Sequence, residues 1–99
     1  MYPNYVISTM NDYRALSEDD KRDFRKNEVK KQNGKCLLCD KPFDERPTSL
    51  PSVVDHDHST ERIRGILHQQ CNTDLSVIER HLDDDFIDKA KEYISKNKP

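Results

Sequence analysis

Two histidines and two aspartates stand within four consecutive residues, in the run Asp55-His56-Asp57-His58. A neutral imidazole can deprotonate water near pH 7. A carboxylate can hold a hard cation such as Mg²⁺, which prefers oxygen ligands and can stabilise charge on a leaving oxygen. The run therefore suits phosphodiester hydrolysis. A solvated polar turn, or adventitious metal binding by a His-rich segment, is the alternative interpretation.

Two pairs of metal-ligand residues flank this run. Cys36 and Cys39 are separated by two residues, and His68 and Cys71 repeat that spacing further along the chain. Four nitrogen and sulfur ligands suit one tetrahedral Zn²⁺, with no open position for catalysis. A redox pair is the alternative for an isolated C-x-x-C, but the βαβ pattern expected beside such a pair is not visible. The spacing therefore predicts a structural zinc ion.

Composition supports a metal-stabilised fold. Apolar residues make up 32% of the 99-residue chain and charged residues 36%. Chains this short have marginal cores and usually need disulfides or a metal. Three cysteines cannot all pair within one chain, which favours metal binding. No signal peptide and no apolar run of about 20 residues is visible. We therefore expect a cytoplasmic protein that does not contact membranes.

Local patterns predict the elements that position these residues. Ser17, with Asp20 three residues later, resembles a capping box and should begin a helix that ends near Gln32. Asn33-Gly34 is a helix stop. Three prolines predict a loop over 40–52.

The next segment reads as a hairpin followed by a helix. Val53 and Val54 should begin a strand that returns through Ile63 to Leu67, with its turn at 58–62. A helix fits from about Gln69, and its apolar spacing extends to Leu82. A last helix should begin in the acidic triplet at 83–85, with an apolar stripe that includes Phe86, Tyr93 and Ile94. The chain is thus predicted to be α+β, a single domain over 1–99. Its parts are an N-terminal arm and basic helix (1–32), the zinc knuckles and a ββα core (33–80) and a C-terminal helix (83–96).

Charge is distributed unevenly along the chain. The segment 21–35 holds seven Lys or Arg against two acids, and 74–92 holds seven acids against three cations. A basic segment can meet a phosphate backbone, whereas an acidic one is repelled by it. Both segments are equally compatible with solvated helix faces.

The run 33–72 resembles the phage recombination endonuclease VII family, within the broader HNH or His-Me finger (ββα-metal) nucleases. The motifs that carry this resemblance are Asn33-Gly34-Lys35-Cys36-x-x-Cys39, Val54-Asp55-His56-Asp57-His58, Thr60, Arg64-Gly65-Ile66-Leu67 and x-x-Cys71-Asn72.

The resemblance implies a role for each matching residue. Asp55 and Asn72 would bind a catalytic Mg²⁺ or Mn²⁺, and His56 would be the general base that activates water. His58 would orient the phosphate or the metal shell. Arg64 would contact the scissile phosphate or support the hairpin. Cleavage would leave a 5′-phosphate and a 3′-hydroxyl.

The chain also departs from the family pattern. His68 stands where the family usually has Cys, and Glu61 replaces a turn Gly. Junction-resolving members can carry a further carboxylate on the helix after the Asn, for which Asp74 and Glu79 are the nearby residues. Those members also intertwine two subunits through a long C-terminal region. Here only 27 residues follow Asn72, so we expect nicking or general cleavage instead of junction resolution.

The leading hypothesis is therefore a metal-dependent DNA endonuclease, encoded by a phage or mobile element. The alternative is a non-catalytic zinc module that binds DNA or a protein partner, which the pI of about 6.1 favours. A third possibility is a regulatory protein that engages a phage or host protein through its acidic helix. The sequence leaves oligomeric state and preferred DNA structure open.

Overall fold

The computed structural model describes residues 6–43 and 52–98. Its elements are α1 (Met10–Arg14), α2 (Glu18–Lys31), β1 (Ser52–His56), β2 (Ile63–His68), α3 (Gln69–Arg80) and α4 (Phe86–Lys96). The two strands form an antiparallel sheet. This confirms the α+β fold with flanking helices. Residues 1–5 of the predicted arm, and 44–51 of the predicted proline-rich loop, lie outside the described residues.

Helix α2 begins and ends where the sequence predicts. The Ser17 hydroxyl accepts a hydrogen bond from the Asp20 backbone N–H at 3.1 Å, which satisfies one of the free N–H groups of the first turn. After Lys31 the chain leaves the helix through Asn33 (φ 58°) and Gly34 (φ 75°). Both are residue types that tolerate this left-handed backbone.

The largest buried apolar cluster joins the N-terminal segment to α2. Ile7, Leu16 and Phe24 are buried there, with Tyr13 and Ile63 packed against them. Backbone hydrogen bonds hold the segment against the end of the hairpin. The Met10 N–H donates to Glu61 O, and the Ile63 N–H donates to Ser8 O, each at 2.9 Å.

Gln32 fixes the end of α2 to the middle of β2. Its side-chain Nε2 donates to Ile66 O at 3.0 Å, and its Oε1 accepts from the Ile66 N–H at 2.9 Å. Ile66 is fully buried, so its backbone groups need partners within the protein. The side-chain amide thus pairs with β2 as a neighbouring strand would.

The C-terminal part packs less closely than the hairpin. Helix α3 ends at Arg80, so Leu82 lies beyond it, although the apolar spacing predicted that Leu82 belongs to this helix. The predicted apolar stripe of α4 faces outward, with Phe86, Tyr93 and Ile94 exposed by 44%, 71% and 57%. Across residues 6–43 and 52–98, no helix combines the length and apolar character of a membrane span.

Candidate zinc centre and hydrolytic site

The four predicted zinc ligands converge. Cys36 and Cys39 lie in the turn after α2, His68 ends β2, and Cys71 lies in the first turn of α3. Their ligand atoms all lie within 4.8 Å of one another. Tetrahedral Zn–S bonds of about 2.3 Å place ligand atoms roughly 3.8 Å apart, so the cluster fits one zinc ion with small adjustments. Such an ion would tie the knuckle, the hairpin and α3 together.

The His68 ring directs its Nδ1 atom at the cysteine sulfurs, because its Nε2 atom is bound elsewhere. Nε2 lies 3.2 Å from Pro42 O, and Nδ1 lies 3.3 Å from Cys39 Sγ. An Nε2–H that donates to the carbonyl leaves the Nδ1 lone pair directed at the sulfurs. The Phe43 ring, 4.8 Å from the imidazole, packs against it. The imidazole of His68 is therefore oriented as a zinc ligand would be.

The thiols of the cluster have very different environments. Burial raises the pKa of Cys36, but hydrogen bonds from the backbone of Cys39, His68 and Leu38 outweigh this effect and lower it to about 6. Burial, together with the neighbouring thiols of Cys39 and Cys36, raises the pKa of Cys71 to about 12. Three crowded sulfurs cannot all ionise without a cation between them, which is the chemistry that zinc supplies.

Gly65 lets the knuckle close onto the hairpin. A Cβ atom at this position would lie 2.3 Å from Leu37 Cδ1 and 3.2 Å from Gln32 Oε1. Any larger residue would displace the Leu37 side chain or Gln32, and its backbone would be strained at φ 157°. The glycine of the Arg64-Gly65-Ile66-Leu67 motif is thus explained by close approach.

A β-bulge turns Arg64 toward Asp55. Asp55 pairs with Gly65, but the next residue, His56, pairs with Ile63, so Arg64 is the extra residue of β2. Bulges redirect a side chain out of the regular alternation. Here Arg64 Nε donates to Asp55 Oδ2 at 2.7 Å and Nη2 donates to Oδ1 at 2.9 Å. The Asp55 carboxylate is buried and held by two charge-assisted hydrogen bonds.

Glu79 of α3 binds the other edge of the same guanidinium. Arg64 Nη1 donates to Glu79 Oε2 at 3.1 Å, and Nη2 donates to Oε1 at 3.2 Å. These bonds lower the pKa of Glu79, and the bonds to both carboxylates raise the pKa of Arg64. Of the two acids named from the sequence, Glu79 therefore reaches the site. Asp74 instead accepts from Gln70 Nε2 at 3.0 Å.

The two histidines of the run lie side by side. Their ring centroids are 4.7 Å apart, and no described residue donates a hydrogen bond to either ring or accepts one from it. His58 lines an open depression of about 430 Å³ together with Ser76, Glu79 and Arg80 of α3.

Asp57, between the two histidines, shapes the backbone instead. It accepts from the backbone N–H groups of Ser59 and Thr60, at 2.8 and 3.0 Å, and so shapes the hairpin turn.

Asn72 directly follows Cys71 in the first turn of α3 and is half-buried. Among the described residues, no hydrogen bond engages its side-chain amide, and none joins it to Asp55. Seven residues, nearly two helical turns, separate Asn72 from Glu79, so both lie on one face of α3. This spacing was the sequence signal that could have distinguished Glu79 from Asp74. No sequence pattern of this kind identifies Gln32, whose bonds to β2 were not predicted.

Comparison with known proteins agrees with this arrangement. The family model for recombination endonuclease VII matches residues 7–96, well beyond the motifs at 33–72. Neither a curated protein nor a solved structure gives a significant match. The family name denotes an endonuclease, a nuclease that acts on DNA. A match over most of the chain, with the Cys₃His cluster assembled, shows that the chain belongs to the recombination endonuclease VII family.

Proposed function

We propose that this chain is a metal-dependent endonuclease of the HNH type that hydrolyses DNA phosphodiester bonds, by nicking or by general cleavage. One observation carries the proposal. Arg64 fixes a buried carboxylate, Asp55, which directly precedes in sequence a pair of histidines that make no hydrogen bond to the described residues. A hairpin tied to α3 through a zinc cluster would present these groups together.

His56 is the general base in this proposal. Its imidazole would accept a proton from the attacking water, a role that suits an imidazole near neutral pH. His58, at the edge of the depression on α3, would orient the phosphate. Arg64 supports the hairpin by fixing the Asp55 carboxylate.

Asp55 and Asn72 would hold the divalent metal. Each Asp55 oxygen accepts one N–H from Arg64 and keeps a further lone pair, and the Asn72 amide oxygen is unengaged by the described residues. Oxygen donors of this kind fit Mg²⁺ or Mn²⁺. A bound Mg²⁺ or Mn²⁺ supplies charge stabilisation for the leaving oxygen.

Helix α2 offers cations for the DNA backbone. Three of its basic residues pair within the helix, in Lys21–Glu18, Arg22–Asp19 and Lys31–Glu28. Arg25, Lys26 and Lys30 have no acidic partner among the described residues. A cation without an acidic partner can bind a phosphate without first breaking an ion pair, so these three are the proposed α2 contacts.

The test is cleavage of supercoiled plasmid by zinc-loaded protein, with Mg²⁺ or Mn²⁺ added or withheld. We expect nicked or linear product only when one of these ions is present. DNA ligase should reseal the nicks, because the ends carry a 5′-phosphate and a 3′-hydroxyl. A folded, zinc-loaded protein that binds DNA but never cuts it would instead be the non-catalytic zinc module.

Asn72→Ala separates the metal-binding role from folding. Removal of the amide should raise the Mn²⁺ concentration needed for half-maximal cleavage about tenfold or more, in line with the loss of a metal ligand or its support. The matched control is Thr73→Ala, an exposed position in the same turn. Equal metal dependence in the two variants would remove Asn72 from the proposed site.

A further inference from the structure

Arg64 donates mainly to carboxylates. A guanidinium has five N–H donors in a fixed plane. Four hydrogen bonds from Arg64 go to Asp55 and Glu79, at 2.7 to 3.2 Å, which leaves one Nη1–H free. To bind a phosphate with more than this donor, Arg64 would have to give up Glu79 or the buried Asp55 carboxylate, and the loss of Asp55 is strongly unfavourable. A backbone phosphate beside this site is therefore better held by another cation.

Arg80 is the cation that lines the depression beside this site. It is exposed at the end of α3 and shares the depression of about 430 Å³ with His58, Ser76 and Glu79. Arg80 follows Ser76 by four residues, so both lie on the helix face that borders the depression. No hydrogen bond or ion pair joins Arg80 to any other residue that the structure describes.

The charges around the depression favour an anion at Arg80. Glu79 would repel a phosphate, but both of its oxygens accept hydrogen bonds from Arg64, so its charge is offset in part. The Ser76 hydroxyl donates to Asn72 O at 3.1 Å and so has no proton to offer. The donors that remain among the lining residues are Arg80 and the ring of His58.

We propose that Arg80 binds a DNA phosphate next to the scissile one, across the depression from His58, while Arg64 positions Asp55. This assignment rests on the nuclease function proposed above. A phosphate held by Arg80 would set the strand in register with the histidine pair.

The salt dependence of DNA binding tests this assignment. Labelled duplex is titrated with the inactive His56→Ala protein, alone and combined with Arg80→Gln, Arg80→Lys or Lys91→Gln. Loss of one phosphate contact should lower the slope of log K against log salt by about 0.9 and weaken binding several-fold at low salt. Arg80→Lys should keep the slope. Lys91→Gln removes the same charge from α4 and should leave slope and affinity at the reference values.

Cleavage kinetics give a second readout in proteins that retain His56. Arg80→Gln should raise KM several-fold with a smaller change in kcat, because a flanking phosphate contact acts in both the ground and transition states. Zinc content and melting temperature should match the parent. Parental slope and KM in Arg80→Gln, or an equal loss in Lys91→Gln, would overturn the assignment and leave the nuclease function standing. A parent that cuts no DNA would overturn the nuclease function instead.

Discussion

The two ligand clusters on this hairpin are held together in different ways. The zinc cluster consists of two pairs with local spacing, and its four ligand atoms meet within 4.8 Å. The proposed hydrolytic cluster draws Asp55, Arg64 and Glu79 from β1, β2 and α3, and a bulge must first redirect Arg64. Local spacing identifies the members of the first cluster, whereas tertiary packing alone identifies those of the second.

The two clusters should therefore affect different properties, the first the stability of the fold and the second catalysis. The zinc cluster lies where the knuckle, β2 and α3 meet, so its ligands should control whether the chain folds. The histidine pair lies near the turn and makes no hydrogen bond to the described residues, so its loss should affect catalysis alone. Substitutions in each region test whether stability and catalysis depend on different residues.

The largest effect is expected at a zinc ligand. Cys71→Ser should abolish cooperative folding, because structural zinc contributes on the order of 10 kcal/mol of apparent folding free energy at neutral pH. Zinc content by elemental analysis and thermal melting by circular dichroism measure this. Thr73→Ala, two residues later on an exposed position, should melt like the parent. A Cys71→Ser protein with parental zinc content and melting would exclude the cluster as the source of stability.

The next largest effect is expected at Arg64. Arg64→Gln leaves the buried Asp55 carboxylate without its cation and should lower the free energy of unfolding by about 2 to 3 kcal/mol. Urea denaturation measures the change. Arg22→Gln breaks the exposed Arg22–Asp19 pair and serves as control, with an expected loss below about 0.5 kcal/mol. Similar losses in the two variants would mean that Asp55 does not depend on Arg64.

Gln32 tests the attachment of α2 to the hairpin. Gln32→Ala leaves the backbone of the buried Ile66 without its side-chain partner, which should cost about 2 kcal/mol. The matched control is Gln70→Ala, whose exposed amide bonds to Asp74. If both variants unfold at the same urea concentration, the pairing of Gln32 with β2 contributes no net stability.

The smallest effect, of opposite sign, is expected at Glu61. This residue has φ 66°, so it adopts a left-handed turn conformation with backbone strain. Glu61→Gly should stabilise the fold by about 0.5 to 1 kcal/mol. The Arg14–Glu61 pair that is lost spans 3.6 Å, too long for a hydrogen bond, and no described residue hydrogen-bonds the buried Glu61 Oε2, so the pair contributes little.

Glu61→Ala is the control for that change, since it removes the carboxylate but keeps a Cβ in the strained turn. Thermal melting should place Glu61→Gly above Glu61→Ala. A higher melting temperature for Glu61→Ala would show that backbone strain at this turn does not limit stability.

Features with a local cause could be predicted from the sequence. The bounds of α2 follow from Ser17 and Asn33-Gly34, and the zinc ligands follow from two equal spacings. The partnership of Arg64 with Glu79 could not be predicted, because it depends on a bulge and on where α3 crosses the sheet. The α4 stripe shows the same limit, since periodicity reveals an apolar face but not what that face packs against.

The most direct test of the account is cleavage by His56→Ala protein in Mg²⁺ or Mn²⁺, measured beside His81→Ala and the parent. His81 lies after α3, stacked on Phe86 at 4.2 Å. Loss of the general base should reduce the rate by at least about 100-fold, with zinc content and melting temperature unchanged. His81→Ala should cut at the parental rate. Equal cleavage by His56→Ala and the parent would contradict the assignment of the hydrolytic site.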